Sequence, residues 1–99
     1  MILSGCGLTA EEQAMKAKCE SLVKDQATTN AVVAAFGAAP QHTFTRSQAL
    51  EHYQKQQTEY WSKMSQYPLT YLFPMYSGGV LVYFDESGRA VGYYLNIQL

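Results

Sequence analysis

The side chains of this chain with chemistry to offer are two cysteines, Cys6 and Cys19, two histidines, His42 and His52, and eight carboxylates. Cys6 follows the short, small or apolar run Leu3-Ser4-Gly5, and its thiol is the one group there able to be alkylated to a thioether. Cys19 recurs with Met15, Leu22 and Val23 at helical spacing, which predicts a small core residue. The histidines stand ten positions apart, without the i,i+4 spacing of a helical metal pair and without a cysteine cluster, so no metal site is predicted. Glu51, His52 and Glu59 offer an acid and a base, but no nucleophile motif of the G-x-S-x-G kind accompanies them; a solvated helix face accounts for them. Gly78-Gly79 precedes no helix whose N-terminus could receive a phosphate, so it is expected to be a turn. The expectation is a non-enzyme that uses no cofactor.

Ninety-nine residues hold one domain with one modest core. An apolar content of 47% with 15% charged residues belongs to a folded chain and not to a disordered one. Seven basic residues are scattered among eight acidic ones for a net charge of -1, which excludes the basic footprint of a nucleic-acid binder. No run of about 18 apolar residues is present, so no helix is predicted to span a membrane.

Elements that would position these residues follow from capping and periodicity. Thr9 and Glu12 have the spacing of a capping box, which starts a helix over about 10–24. Thr28 or Thr29 caps a second helix, about 29–36, closed by Gly37 and Pro40. Leu50, Tyr53, Gln57, Tyr60, Trp61 and Met64 repeat with a period near 3.5 and no Gly or Pro intervenes, predicting one helix over about 46–65. All eight tyrosines lie from Tyr53 onward, and after Pro68 the chain reads as three strands, about 69–76, 79–85 and 90–97. Gly88 suits the positive-φ position of the last hairpin. In the last strand Val91, Tyr93, Leu95 and Ile97 are expected to face the core, with Ala90, Gly92, Tyr94, Asn96 and Gln98 on the other side. The predicted fold is α+β: a two-layer sandwich of N-terminal helices on a three-stranded antiparallel meander, residues 9–99, preceded by a tether over 1–8.

The order of these pieces carries a resemblance. A Thr-capped second helix ending at Gly37 and Pro40, followed by the hairpin from Val82-Tyr83-Phe84-Asp85 through Gly88 to Val91, resembles the SmpA/OmlA family of small bacterial outer-membrane lipoproteins. The resemblance covers most of residues 20–95, and the segment 46–65 is similar to an insertion ahead of that family's first strand. It implies a structural or assembly role beside an outer-membrane or periplasmic protein.

In that context Leu3-Ser4-Gly5-Cys6 looks like a lipobox, the site at which a bacterial signal peptide is removed and the cysteine receives its lipid. Met1 to Gly5 is too short for a full export signal, so a longer precursor is expected. Gly7 follows the cysteine in place of Asp, which goes with transfer to the outer membrane, and the expected location is its periplasmic face, anchored through Cys6. A lipidated Cys6 leaves Cys19 no partner; a Cys6–Cys19 disulfide in the delipidated chain is the alternative.

Recognition then falls to the aromatic half. Trp61, Phe73, Phe84 and Tyr93 are expected in the core, whereas Tyr53, Tyr60, Tyr71, Tyr76, Tyr83 and Tyr94 are the candidate partner-binding residues, because tyrosine joins apolar area to a polar tip. The last strand also offers an edge to a partner strand. The second functional reading is an inhibitor- or immunity-type module, similar to the beta-lactamase-inhibitor-protein fold, or a phage-encoded exclusion lipoprotein that blocks its partner.

Overall fold

The structure, a computed structural model, describes residues 9–75 and 78–97. It opens with helix α1, Ala10–Lys24, whose first turn is closed by two reciprocal bonds: Glu12 N–H donates to Thr9 Oγ1 at 3.1 Å and Thr9 N–H donates to Glu12 Oε1 at 3.0 Å. Helix α2, Thr29–Phe36, is capped by Thr28 and stops at Gly37, which takes φ 74°. That left-handed conformation is open to glycine at little cost, and it satisfies the last carbonyls of the helix. Strand β1, His42–Thr45, helix α3, Arg46–Lys55, and helix α4, Glu59–Met64, follow. The chain is completed by β2, Leu69–Met75, β3, Gly78–Phe84, and β4, Ala90–Ile97. The four strands form one antiparallel sheet in the order β1-β2-β3-β4.

The α+β class and the three expected strands are present, and the sheet gains a fourth. Sequence reasoning passed over β1 because four residues are too few to show a period, although Thr43, Phe44 and Thr45 are β-formers. The strand gains its partners from β2, with Phe44 opposite Thr70. The predicted 46–65 helix is two helices, interrupted at Gln56 in an extended conformation with φ -142° and ψ 95°. No breaker residue lies there. The interruption instead lets Ala49 of α3 and Trp61 and Met64 of α4 reach one apolar cluster, and the indole N–H of Trp61 donates to Gln56 Oε1 at 3.3 Å across the break. Ala49 takes the buried position that the period assigned to Leu50, which is 46% exposed.

Each face of the sheet carries its own apolar cluster, so the helices form two layers and not one. On the first face Cys19 of α1 and Val32 of α2 meet Phe73, Val80, Val82 and Phe84. Phe36 lies flat on Phe73, with centroids 4.0 Å apart and an interplanar angle of 4°. On the second face Trp61 and Met64 meet Leu72, Leu81, Tyr83 and Ile97. Consecutive residues of β3 thus point into opposite clusters, and the strand is buried from Gly79 to Phe84.

The predicted inward set of β4 is corrected by two irregularities in its pairing with β3, one between Tyr83 and Phe84 and one between Gly79 and Leu81. Each adds a residue on one strand and reverses the alternation beyond it. Ala90 is therefore buried and Val91 is 39% exposed, while Tyr93 and Leu95 join the first cluster and Ile97 joins the second. The hairpin before β4 is drawn tight by Asp85, whose Oδ1 accepts from the Ser87 hydroxyl at 2.7 Å, Ser87 N–H at 2.9 Å and Arg89 N–H at 3.0 Å. Those bonds favour the ionised carboxylate and hold Asp85 below the ordinary carboxylate range, the Ser87 hydroxyl contributing most. Gly88 completes the turn at φ 78°.

Candidate aromatic interface

The two-helix layer on the second face gathers half of the candidate tyrosines. Tyr53 on α3 and Tyr60 on α4 are half-buried against the second cluster, as is Tyr94 of β4. Tyr60 and Tyr94 meet edge to face, with centroids 6.3 Å apart and rings at 60°. The Tyr94 hydroxyl donates to Glu59 Oε1 at 3.0 Å, and because that bond favours the neutral phenol it raises the Tyr94 pKa, with burial and the negative charge of Glu59 acting the same way. Beside them the α3–α4 break opens a shallow groove of about 430 Å³, lined by Tyr53 and Thr58 with Gln57, Glu59, Lys63 and Gln66. This is a surface of aromatic rings edged by amides and one charge of each sign. Such a surface presents apolar area together with directional polar groups, the composition found where proteins meet.

The other candidates part company with this group. Tyr71 is half-buried on the first face, its ring against Phe84 at 4.8 Å and Phe73 at 6.1 Å. Tyr83 is withdrawn from the surface altogether at 2% exposure, stacked on Tyr67 with centroids 4.8 Å apart and an interplanar angle of 12°. Tyr76 and Cys6 lie outside the described residues. Burial pushes the Tyr83 phenol well above its usual pKa, with Tyr67, Tyr94 and Glu59 adding to the shift. Among the described residues its hydroxyl has no hydrogen-bond partner. Removing an unpartnered buried hydroxyl relieves a desolvation penalty, so Tyr83→Phe is expected to stabilise the fold by about 1 kcal/mol in urea unfolding. A destabilised variant would mean that the hydroxyl is engaged.

Sequence reasoning missed the neighbours that build this face. Trp61, expected in the core and 3% exposed, supports an aromatic group that reaches the surface: His52 stacks on it at 4.2 Å with rings within 8°, and Phe44 abuts it edge-on at 5.3 Å. Phe44 lies in the unrecognised strand and His52 was assigned to a solvated face. His42 meets Phe44 at 6.0 Å, so both histidines take part in ring packing. Among the described residues no three His, Cys, Asp or Glu side chains converge as a metal site would require, and no helix is long and apolar enough to cross a membrane.

Cys19 is 1% exposed, and burial pushes its thiol up to about 11, with Lys18 opposing the shift and Glu20 adding to it. That is the reverse of what a nucleophilic cysteine needs. Comparison of the chain with protein-family models, curated proteins and solved structures finds no match.

Proposed function

We propose that this chain is a non-catalytic, lipid-anchored protein of the bacterial envelope, tethered through Cys6 to the periplasmic face of the outer membrane, where it binds an envelope protein as a structural or assembly module. The binding half of this reading is carried by the Tyr53, Tyr60 and Tyr94 surface beside the α3–α4 groove. Its rings are half-buried and braced by Trp61 and Glu59, so little side-chain freedom remains to be lost when a partner docks. The location half is supported by Leu3-Ser4-Gly5-Cys6 and by the resemblance to the SmpA/OmlA lipoproteins. A role in binding and not in catalysis is supported by the chemistry of the site: Glu59 is occupied by the Tyr94 hydroxyl, and the Cys19 thiol is buried and protonated.

Capture from solubilised envelope extracts tests the reading. An outer-membrane or periplasmic protein should be retained by the chain, and the double variant Tyr60→Ala, Tyr94→Ala should lower its recovery by roughly tenfold or more while leaving the fold intact by circular dichroism. Recovery of nothing above background counts against it, and retention of a soluble enzyme or toxin favours the inhibitor-type module. In cells, with an export signal placed ahead of Leu3, Cys6→Ser should move the protein from the membrane to the soluble periplasmic fraction.

A further inference from the structure

β4 is an edge of the sheet. Among the described residues its outer side is covered by the chain itself at the start only: Ala90 N–H donates to the Ala27 carbonyl at 2.8 Å, and Thr28 and Arg89 form an isolated antiparallel bridge. From Val91 to Ile97, among the described residues, the strand makes no backbone hydrogen bond except to β3. Sheet edges are ordinarily blunted by charge, proline or brevity. The opposite edge, β1, is four residues long. Val91–Ile97 is seven residues with no charge and no proline. Apolar groups on both sides of this edge are left unfinished, with Val91 39% exposed and Tyr93, Tyr94 and Leu95 half-buried. A strand added here must therefore be uncharged and apolar on both faces.

We propose that the strand is β4 of a second copy of this chain, paired antiparallel about a two-fold axis. β4 meets both requirements itself, and a two-fold contact closes on itself, so two copies satisfy each other and assembly stops at the dimer. Charge permits the approach. A net charge of -1 gives two copies little reason to repel. Helix α1 packs on β4, so the two-fold brings the two α1 helices side by side and antiparallel. That helix carries charge of both signs, with Glu11 in its first turn and Lys24 beside Asp25 at its end, so no like-charged surface opposes the contact. The inference rests on the edge and shares only Tyr94 with the tyrosine face, and it stands or falls apart from the envelope reading.

Sedimentation velocity of the whole chain in reductant, at concentrations up to about 200 µM, tests it together with amide exchange. The expected result is a species of twice the 11.1 kDa chain mass, with amides between Val91 and Ile97 gaining protection as the dimer forms. Val91→Lys, a charge of the kind that guards natural edges, should weaken the dimer by roughly tenfold or more and leave the monomer's circular dichroism unchanged. A monomer at every concentration overturns the proposal. So does a dimer whose protected amides lie elsewhere, or one indifferent to Val91→Lys.

Discussion

Trp61→Ala is expected to cost about 3–5 kcal/mol, a large part of the roughly 5–15 kcal/mol that holds a domain of this kind together. Trp61 is the chain's single tryptophan and is 3% exposed. Its ring carries the His52 stack and the Phe44 edge contact, and its N–H reaches Gln56. α4 has six residues, too few to be helical in water without tertiary support, and Trp61 and Met64 are its two buried side chains. Truncation therefore removes the ring and also releases the helix that presents it, and with it the Tyr60 and Glu59 contacts to Tyr94. Trp61→Phe keeps an aromatic face for His52 but loses the bond to Gln56, and should cost about half as much. Urea unfolding followed by circular dichroism measures both. In the unmodified chain the indole also reports on the second face alone. Coincident fluorescence and dichroism midpoints would show that the two clusters unfold together. A loss under about 1 kcal/mol for Trp61→Ala would mean that α4 is not held by this ring.

How much of this was legible in the sequence depends on how far apart the interacting residues lie. Thr9 with Glu12, Thr28, Gly37 and Gly88 act on backbone within a few positions of themselves, and each does in the structure what its type predicts. The bounds of α1 and α2 followed from them. The break at Gln56 carries no local mark, because its cause is the fit of Ala49 and Trp61 to one side of a sheet formed by residues far along the chain. The irregular pairing of β4 is equally silent, since an extra residue in a strand shows only against its partner. The same division separates the tyrosines. A count of eight shows that some must stay outside, but whether Tyr83 or Tyr94 does so depends on which face of the sheet α3 and α4 cover. A second helical layer was not foreseen, and it is this layer that buries Tyr83 and raises Tyr53, Tyr60 and Tyr94 into one surface.

Cys19 should be nearly inert to thiol reagents in the folded chain and reactive on unfolding. With Cys6→Ser leaving one thiol, labelling at pH 8 should run about a hundredfold or more below the rate of a free cysteine, because a thiol whose pKa stands at about 11 is thiolate far less often than one near 8.5. Burial at 1% exposure slows it further, since the reagent must wait for α1 to part from Phe84 and Val82. The same shift sets a direction for stability. A thiol that is harder to ionise in the native state stays protonated while its unfolded counterpart has lost its proton, so the native chain binds more protons above about pH 8.5. Stability should thus be full below that pH and fall progressively toward pH 11, and Cys19→Ala should flatten the slope even as it removes a packed sulfur from the core. Thermal unfolding between these limits, with and without the substitution, measures the difference. Stoichiometric labelling of the native chain within mixing time would show instead that α1 does not stay closed over the sheet, and that the sulfur remains available for a bridge to Cys6.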